Sequence, residues 1–420
     1  MSRYARKRND PPVKPVEQIE VTDKNRKWKL VVIVLLLALG VTLIATTVGQ
    51  LLVTQPGWET IQADAGVEES CAGDFVFLYL LGDGDRAANL EQRELTRLYS
   101  QATKDAFQIF HEEKIFDGVH NVAYLNQHPN EEVEISQALY EAFALLEKYS
   151  NRALYLAPLY REYIGMFLSG QDWAAQTYDP EQDAEQAAYF AEVLSFTNDN
   201  SAVKLELLGN NRVQLQVSDA YLQFASDKEI TTFIDFYWMK NAFIVDYMAQ
   251  QMTEAGYTKG AISSFDGFSR NLDASNRDYQ LNIFDRVGNG TYRAGVMNYT
   301  GALSTVALRN YSMSELAVQL YYQWEDGSIT SCHIDPADGR SKSAINDLIG
   351  YSGVLGCSEI LLKMYPVYVA DDLNEDKLQA MADVDTIYCK DRIIYTSSAG
   401  AVITDLFKKD DVEYTWTKSE

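Results

Sequence analysis

The spacing of apolar and polar residues predicts a chain in which helices and strands are mixed. Apolar residues recur at helical spacing over residues 89–116, and again over residues 136–149, where a serine can cap the helix start. Strict alternation over residues 203–207 and 213–217, on either side of a Gly-Asn-Asn turn, predicts a β-hairpin. These patterns indicate a folded domain with local structure of both kinds.

The same mixture continues to the end of the chain. Further strands are predicted at residues 75–81, 260–265, 278–284, 292–298, 302–308, 328–334, 385–389 and 392–395, and further helices within 150–198 and at 241–255 and 356–364. No repeat period appears along the sequence. Irregular mixing over this length is typical of a single α/β or α+β domain.

One apolar segment is predicted to cross a membrane. Leu30 to Val48 contains nineteen residues without a charge, and a helix of that length covers about 29 Å, the thickness of a bilayer core. We therefore predict a transmembrane helix over residues 30–53. A cleavable signal peptide and a buried core helix are the alternatives, but a signal peptide has a shorter apolar run, and a core helix is rarely apolar on every side.

Charge gives this segment an orientation. Residues 1–29 hold nine basic and four acidic side chains, and the positive-inside rule keeps such a tail in the cytoplasm. The sequence thus predicts a single-pass protein of the cell membrane with its main part outside the cytoplasm. Its predicted parts are a basic tail (1–29), the membrane helix (30–53), a stalk (54–73), one extracytoplasmic domain (74–408) and a C-terminal tail (409–420).

Composition excludes several classes of function. Asp and Glu number 60 against 36 Lys and Arg, a net charge of −24, which is unsuited to binding a nucleic-acid backbone. Four cysteines in 420 residues do not form a disulfide framework. The sequence contains no Gly-x-Ser-x-Gly, Cys-x-x-Cys or phosphate-binding glycine loop.

Four segments carry candidate chemistry, and they follow one another in a fixed order. They are residues 122–136, residues 234–246 with the later Asp266-Gly267 turn, residues 302–305, and residues 332–339, which read Cys-His-Ile-Asp-Pro-Ala-Asp-Gly. In the last of these a strand ends in a turn, where Pro336 restricts the backbone and Gly339 permits a positive φ. Such a turn can direct an imidazole and a carboxylate to one place, although an ordinary structural turn uses the same residues.

This ordered set resembles the ApbE-type flavin transferases, which move FMN from FAD onto a threonine of an extracytoplasmic partner. The resemblance spans roughly residues 75–408 and implies one mixed domain, FAD as the substrate, Mg²⁺ as the metal, and a membrane or extracytoplasmic flavoprotein as the acceptor. Carried over by position, it implies catalytic roles for His333 and Asp335. It implies cofactor binding by Asp235, Thr305, Asp266, Gly267 and Gly339.

The departures from the family pattern fall where the chemistry should be. Tyr237-Trp238 replaces a pair of glycines, and Asn241-Ala242 replaces a Lys-Gly pair. In the metal segment, Ser358 stands for an aspartate ligand and Leu362 for a hydroxyl ligand. Mg²⁺ requires oxygen ligands, which leucine does not supply, unless Glu359 substitutes through a shift of register. Cys332 rather than His333 also falls at the family's histidine position when Asp335 is aligned.

Two functions therefore remain open at the sequence level. The chain is either a membrane-anchored FAD:protein FMN transferase, or a catalytically silent relative that serves as a binding or scaffold protein of the cell envelope. The position of Glu359 and Leu362 relative to Asp266 and His333 is expected to discriminate between them.

Overall fold

A computed structural model describes residues 54–409 and 412–418. The predicted basic tail (1–29) and membrane helix (30–53) lie outside the described residues. Contacts divide the chain after Thr54, and every element described below belongs to the unit Gln55–Glu420. Within the described ranges, no helix has both the length and the apolar character needed to cross a bilayer.

Strands and helices alternate along the described chain. The strands are β1 (Gly57–Ile61), β2 (Phe75–Leu81), β3 (Glu132–Glu134), β4 (Val203–Gly209), β5 (Arg212–Val217), β6 (Gly260–Ser264), β7 (Phe268–Asn271), β8 (Asp278–Val287), β9 (Gly290–Thr300), β10 (Leu303–Arg309), β11 (Tyr321–Gln323), β12 (Ile329–Ser331), β13 (Asp347–Ser352), β14 (Asp385–Lys390), β15 (Ile393–Thr396), β16 (Val402–Thr404), β17 (Lys408–Lys409), β18 (Val412–Glu413) and β19 (Thr415–Lys418). The α-helices are α1 (Ala88–Ile109), α2 (Val122–Gln127), α3 (Gln137–Lys148), α4 (Ala157–Leu168), α5 (Asp172–Ala175), α6 (Ala184–Thr197), α7 (Asp219–Asp227), α8 (Lys240–Glu254), α9 (Cys357–Tyr368) and α10 (Glu375–Gln379).

The strongest local signals of the sequence form the elements they predict. Ser136 precedes α3, and its hydroxyl accepts a hydrogen bond from the backbone N–H of Leu139 at 3.3 Å. The β4–β5 hairpin turns at Asn210 and Asn211, with φ of +52° and +57°. Positive φ at both central residues is the geometry of a type I′ turn, which matches the twist of the two strands.

The main sheet has nine strands in the order β1-β2-β6-β7-β10-β13-β14-β15-β19. Neighbouring strands pair antiparallel, except that β15 and β19 are parallel. Helices α1, α8 and α9 pack on one face of this sheet. The predicted mixed α/β class of the domain is thus confirmed.

Both edges of the main sheet come from segments that the sequence assigns to a stalk and a tail. β1 lies within residues 54–73 and pairs with β2, from Gly57 opposite Leu81 to Ile61 opposite Phe77. β19 lies within residues 409–420 and pairs with β15. The domain therefore extends further in both directions than the predicted range 74–408, because these short edge strands are stabilised by distant partners rather than by a local pattern.

A second sheet covers part of the other face. The strands β16-β9-β8 form a three-stranded sheet whose Ile283 and Met297 pack against Ala307 of β10 and Ile349 of β13. Val306, the neighbour of Ala307, instead faces the helices, as the two-residue period of a strand requires. The main sheet is therefore buried on both faces around β10 and β13.

Candidate functional site

Three of the predicted site residues lie around the 3-10 turn Tyr237–Met239, which leads into α8. Asp235 accepts a hydrogen bond from the backbone N–H of Tyr237 at 2.7 Å, and Asp266 accepts one from the side-chain amide of Asn241 at 2.9 Å. The ring of His333 lies against that of Trp238, with 4.8 Å between the ring centroids. The tertiary structure thus brings together side chains that are up to 98 positions apart, since 333 − 235 = 98. Asp335, Gly339 and Thr305 lie in other surroundings.

Asp235 is a buried carboxylate at the beginning of this turn. Burial raises its pKa to about 7, and the negative charge of Glu112 acts in the same direction, while Lys240 opposes the shift. Lys240 is the cation that could replace the family's missing lysine, but its Nζ is paired with Glu112 at 3.1 Å. Its charge is therefore already compensated within the protein, which weakens any attraction for a phosphate group.

Asp266 and Gly267 form the tight turn between β6 and β7. Burial raises the pKa of Asp266 to about 7, and its Oδ1 atom is buried with no hydrogen-bond partner among the described residues. Gly267 has φ of +107°, and a Cβ atom there would lie 2.4 Å from the carbonyl oxygen of Ala307. The glycine is required because the turn packs directly on β10, where its carbonyl also accepts a hydrogen bond from Ala307 N (2.9 Å).

His333 lies in the aromatic core of the domain. It is 3% exposed, its ring meets Trp238 and Tyr368 edge to face, and its Nδ1 is 3.0 Å from the hydroxyl of Ser331. Burial lowers the pKa of His333 to about 3. The imidazole is therefore neutral at physiological pH, and its catalytic role stays a prediction.

Asp335 and Gly339 stabilise the turn that follows β12. Asp335 accepts a charged hydrogen bond from Lys342 Nζ at 2.9 Å and a backbone hydrogen bond from Ala337 N at 2.9 Å. Gly339 has φ of +72°, and a Cβ there would touch the Leu159 side chain at 3.0 Å. These contacts account for Asp335 and Gly339 by the local structure of the turn, and the hydrogen-bond partner of His333 is Ser331 instead.

Thr305 lies within the main sheet. It is opposite Ser269 on one side and Tyr351 on the other, and its carbonyl oxygen is 3.6 Å from the thiol of Cys357. The side chain is buried. Its predicted role in cofactor binding is untested, and its observed surroundings are those of a central strand.

Two aromatic rings occupy the positions where the resembling family has paired glycines. Tyr237 has φ of +41°, so its backbone keeps a conformation that suits glycine although the residue is not one. Its ring contacts Tyr160 at 4.7 Å, and its hydroxyl donates to Gln319 O at 2.6 Å. Trp238 stacks on Tyr365 at 5.7 Å. The space that glycines would leave open is therefore filled by side chains of the core.

Asp246 is the residue of this region that sequence reasoning undervalued. Its carboxylate accepts hydrogen bonds from Cys357 N (2.8 Å), Ser358 N (2.8 Å) and the Ser358 hydroxyl (2.6 Å), and it pairs with Arg270 at 3.0 Å. Gly356 allows this approach, because a Cβ there would lie 2.5 Å from an Asp246 oxygen. Asp246 thus caps α9, the helix that carries the segment matched to the metal site. The sequence contained one indication of this role, because Asp246 is the last residue of the segment 234–246 that resembles the family.

The residues matched to the metal segment do not offer a set of oxygen ligands. Leu362 is buried in the core, and Glu359 binds Lys148 Nζ and the Tyr149 hydroxyl, at 2.5 and 2.8 Å. The hydroxyl of Ser358 is donated to Asp246. Among the described residues, no three His, Cys, Asp or Glu side chains converge in a way that could hold a metal ion. This donor set does not fit Mg²⁺.

An open groove of about 530 Å³ lies beside the capped end of α9. Helices α3 and α8 form its walls, and its lining includes four carboxylates, from Glu141, Asp246, Glu254 and Glu359, with Arg270 as the basic residue. Asp266 and His333 are not part of its lining. Glu359, a carboxylate of the metal segment, therefore lines a groove that Asp266 and His333 do not share.

The burial of His333 predicts a specific pH dependence of stability. Its pKa is about 3 in the folded protein and about 6.5 in the unfolded chain, so the unfolded chain binds more protons between these values and stability is lost as the pH falls. A His333→Asn variant lacks this loss. From pH 7 to pH 5, we expect the free energy of unfolding of the original protein to fall by about 2 kcal/mol relative to the variant.

Urea denaturation at the two pH values measures this difference. A Ser331→Ala variant is the matched control, because it removes the hydrogen-bond partner of His333 and keeps the imidazole, so its stability should change with pH as in the original protein. If His333→Asn and the original protein instead lose stability in parallel, the imidazole is protonated in the folded state and is open to the solvent.

Comparison with known proteins identifies the fold. No family model and no curated protein matches the sequence. Solved structures do match: the ApbE protein from Thermotoga maritima, at 12% identity and a TM-score of 0.52 over 84% of this chain and 97% of that one, and the flavin transferase ApbE from Vibrio cholerae, at 11% identity and a TM-score of 0.53 over 84% and 98%. The domain has the fold of the ApbE flavin transferases, as the ordered segments indicate.

Proposed function

We propose that this chain is a membrane-anchored protein of the cell envelope that uses the flavin-transferase fold for binding and has lost the transfer reaction. The contacts of Asp246 carry this proposal. Its carboxylate accepts hydrogen bonds from the N-terminus of α9 and pairs with Arg270. Ser358 stands at the position of an acidic ligand of the family, and Leu362 packs in the core. The segment that supplies the metal ligands in the resembling family has become part of the packing of this domain.

The nucleotide side of the site supports the same proposal. FAD would need space at the turn before α8 and positive charge near its phosphates. Tyr237 and Trp238 fill that turn, and Lys240 is paired with Glu112. The described residues therefore do not fit FAD in the position that the family resemblance implies, and we assign no catalytic step to it.

The proposed location rests on the sequence. The basic tail, the uncharged run from Leu30 to Val48 and the acidic remainder of the chain favour one membrane helix with the domain outside the cytoplasm. The proposed partner is a membrane or extracytoplasmic flavoprotein of the kind that flavin transferases modify. A silent relative would hold such a protein without modifying it.

A transfer assay tests the loss of activity. We expect that the purified full chain, incubated with FAD, Mg²⁺ and an acceptor peptide that contains a threonine modified by flavin transferases, forms no covalent fluorescent product, because the donor set for the metal is missing. The flavin transferase from Vibrio cholerae is the positive control on the same peptide. Quenching of FAD fluorescence measures binding separately from chemistry, and we expect none.

Mg²⁺-dependent labelling of the peptide would contradict the proposal and favour an active FMN transferase. In that case a Glu359→Gln variant decides whether Glu359 has become a metal ligand through a shift of register. Glu141→Gln is the matched control, because Glu141 lines the same groove and lies outside the segment matched to the metal site.

A further inference from the structure

The outer face of strands β1, β2 and β6 is uncovered. The covering sheet β16-β9-β8 packs over the middle of the main sheet and approaches β1 at Tyr279, whose ring meets Trp58 edge to face at 6.3 Å. Beyond this contact the outward side chains are solvent-accessible. They are Trp58 and Thr60 of β1, Val76, Leu78 and Leu80 of β2, and Ala261 and Ser263 of β6.

These residues share one face because directly paired residues of antiparallel strands point the same way. Trp58 is paired with Leu80, and Leu78 is paired with Thr60 on one side and Ala261 on the other. Trp58 and Leu78 are 46% and 42% exposed. We call this surface the outer patch. A contiguous exposed apolar surface of this kind marks an interaction site more often than single exposed side chains do.

The outer patch carries no charged side chain of its own, and Lys259, which borders it beside Leu80, is paired with Asp83 at 3.1 Å. Its polar members are the hydroxyls of Thr60 and Ser263, and the Ser263 hydroxyl hydrogen-bonds to that of Ser269 on β7 at 2.7 Å. The whole chain, in contrast, has a net charge of −24. A surface without charges can leave water at little electrostatic cost, whereas the acidic remainder of the domain cannot.

The short distance in sequence between β1 and the predicted membrane helix indicates what covers the outer patch. The uncharged run ends at Val48, and β1 begins at Gly57, so eight residues connect them. Even fully extended, eight residues span at most about 27 Å. A bilayer that holds the apolar run is therefore within reach of β1, the strand at the edge of the outer patch, and tryptophan is enriched at the boundary between lipid and water.

We propose that the outer patch lies against the surface of the bilayer, with Trp58 and Leu78 in the interfacial region. This inference rests on the membrane anchor included in the proposed function. It gives the domain a defined orientation, in which strands β1, β2 and β6 face the lipid. Because the groove between α3, α8 and α9 lies on the helical side of the sheet, it stays directed away from the lipid.

Depth-dependent fluorescence quenching in nanodiscs tests this orientation. The four native cysteines are buried, so a Leu78→Cys variant of the full chain can be labelled selectively with bimane and reconstituted in phosphatidylcholine nanodiscs that contain spin-labelled lipid. We expect the label at position 78 to lose most of its fluorescence. Leu168→Cys is the matched control, since Leu168 is 55% exposed on α4, and its label should lose little.

Each outcome bears on a different claim. If the chain is not retained in the nanodiscs, the membrane anchor fails, and the orientation fails with it. If the chain is retained but position 78 is quenched no more than position 168, the orientation alone is wrong. If the label at position 78 is shielded in detergent without lipid and the protein elutes as a dimer, a second copy covers the patch, and this also overturns the inference.

Discussion

Replacing Trp238 by alanine is expected to lower the free energy of unfolding by about 3–5 kcal/mol, the usual cost of removing a large aromatic side chain from a core. The ring is buried, stacks on Tyr365 at 5.7 Å and meets His333 edge to face at 4.8 Å. Since the neighbouring backbone cannot close the space completely, a cavity remains at the turn before α8. Urea denaturation followed by far-UV circular dichroism measures the loss.

Trp173→Ala is the control for this variant. Trp173 is 72% exposed, and substitutions of such surface residues usually change stability by no more than about 0.5 kcal/mol. Equal effects of the two substitutions would show that Trp238 is not packed in the core. The turn would then be open, and our reason for excluding a nucleotide there would no longer hold.

Replacing Asp246 by alanine is expected to lower the free energy of unfolding by about 2–3 kcal/mol, more than the loss of a simple helix cap. The variant removes two backbone hydrogen bonds at the N-terminus of α9 and the hydrogen bond from the Ser358 hydroxyl. It also leaves Arg270 without its partner, although Arg270 is partly solvated, which limits that part of the loss. Thermal and urea denaturation measure the change.

Two controls separate the cap from the charge and from the groove. Asp246→Asn keeps an acceptor oxygen and should lose less stability than Asp246→Ala. Glu254→Ala changes another carboxylate that lines the same groove and should have little effect. Mg²⁺ provides a further check: we expect no shift of the unfolding temperature of the original protein on its addition, and a stabilising shift that disappears in Asp246→Ala would contradict our interpretation of this residue.

The family resemblance of the sequence and the fold of the structure agree, whereas the residues at the matched site positions differ from those of the family. The ordered segments indicate a flavin-transferase plan, and the TM-scores of 0.52 and 0.53 to two ApbE structures agree with it at 11–12% identity. A fold tolerates such divergence because its pattern of burial is kept, whereas a catalytic site depends on particular atoms. In the alignment of the ordered segments, Tyr237, Trp238, Ser358 and Leu362 stand at the positions of those atoms, and this is the basis of the proposed loss of activity.

The sequence by itself determined the features that depend on neighbouring residues. The capped helix at Ser136 and the hairpin at Asn210-Asn211 follow from side chains within a few positions, and the structure contains both. The mixed fold class follows from the succession of such elements. In the alignment with the family, the change from a carboxylate to a hydroxyl at Ser358 and from a hydroxyl to an apolar side chain at Leu362 was also visible from the sequence alone.

Only the tertiary structure decided which distant groups meet. β1 and β19 are too short and too weakly patterned to be recognised alone, and they become strands because β2 and β15 supply their hydrogen-bond partners. His333 resembled a catalytic residue in the sequence, yet packing places it between Trp238 and Tyr368. Asp246 seemed the end of a motif, and its role as the cap of α9, 111 positions away from Cys357, arises from long-range packing that no local pattern encodes.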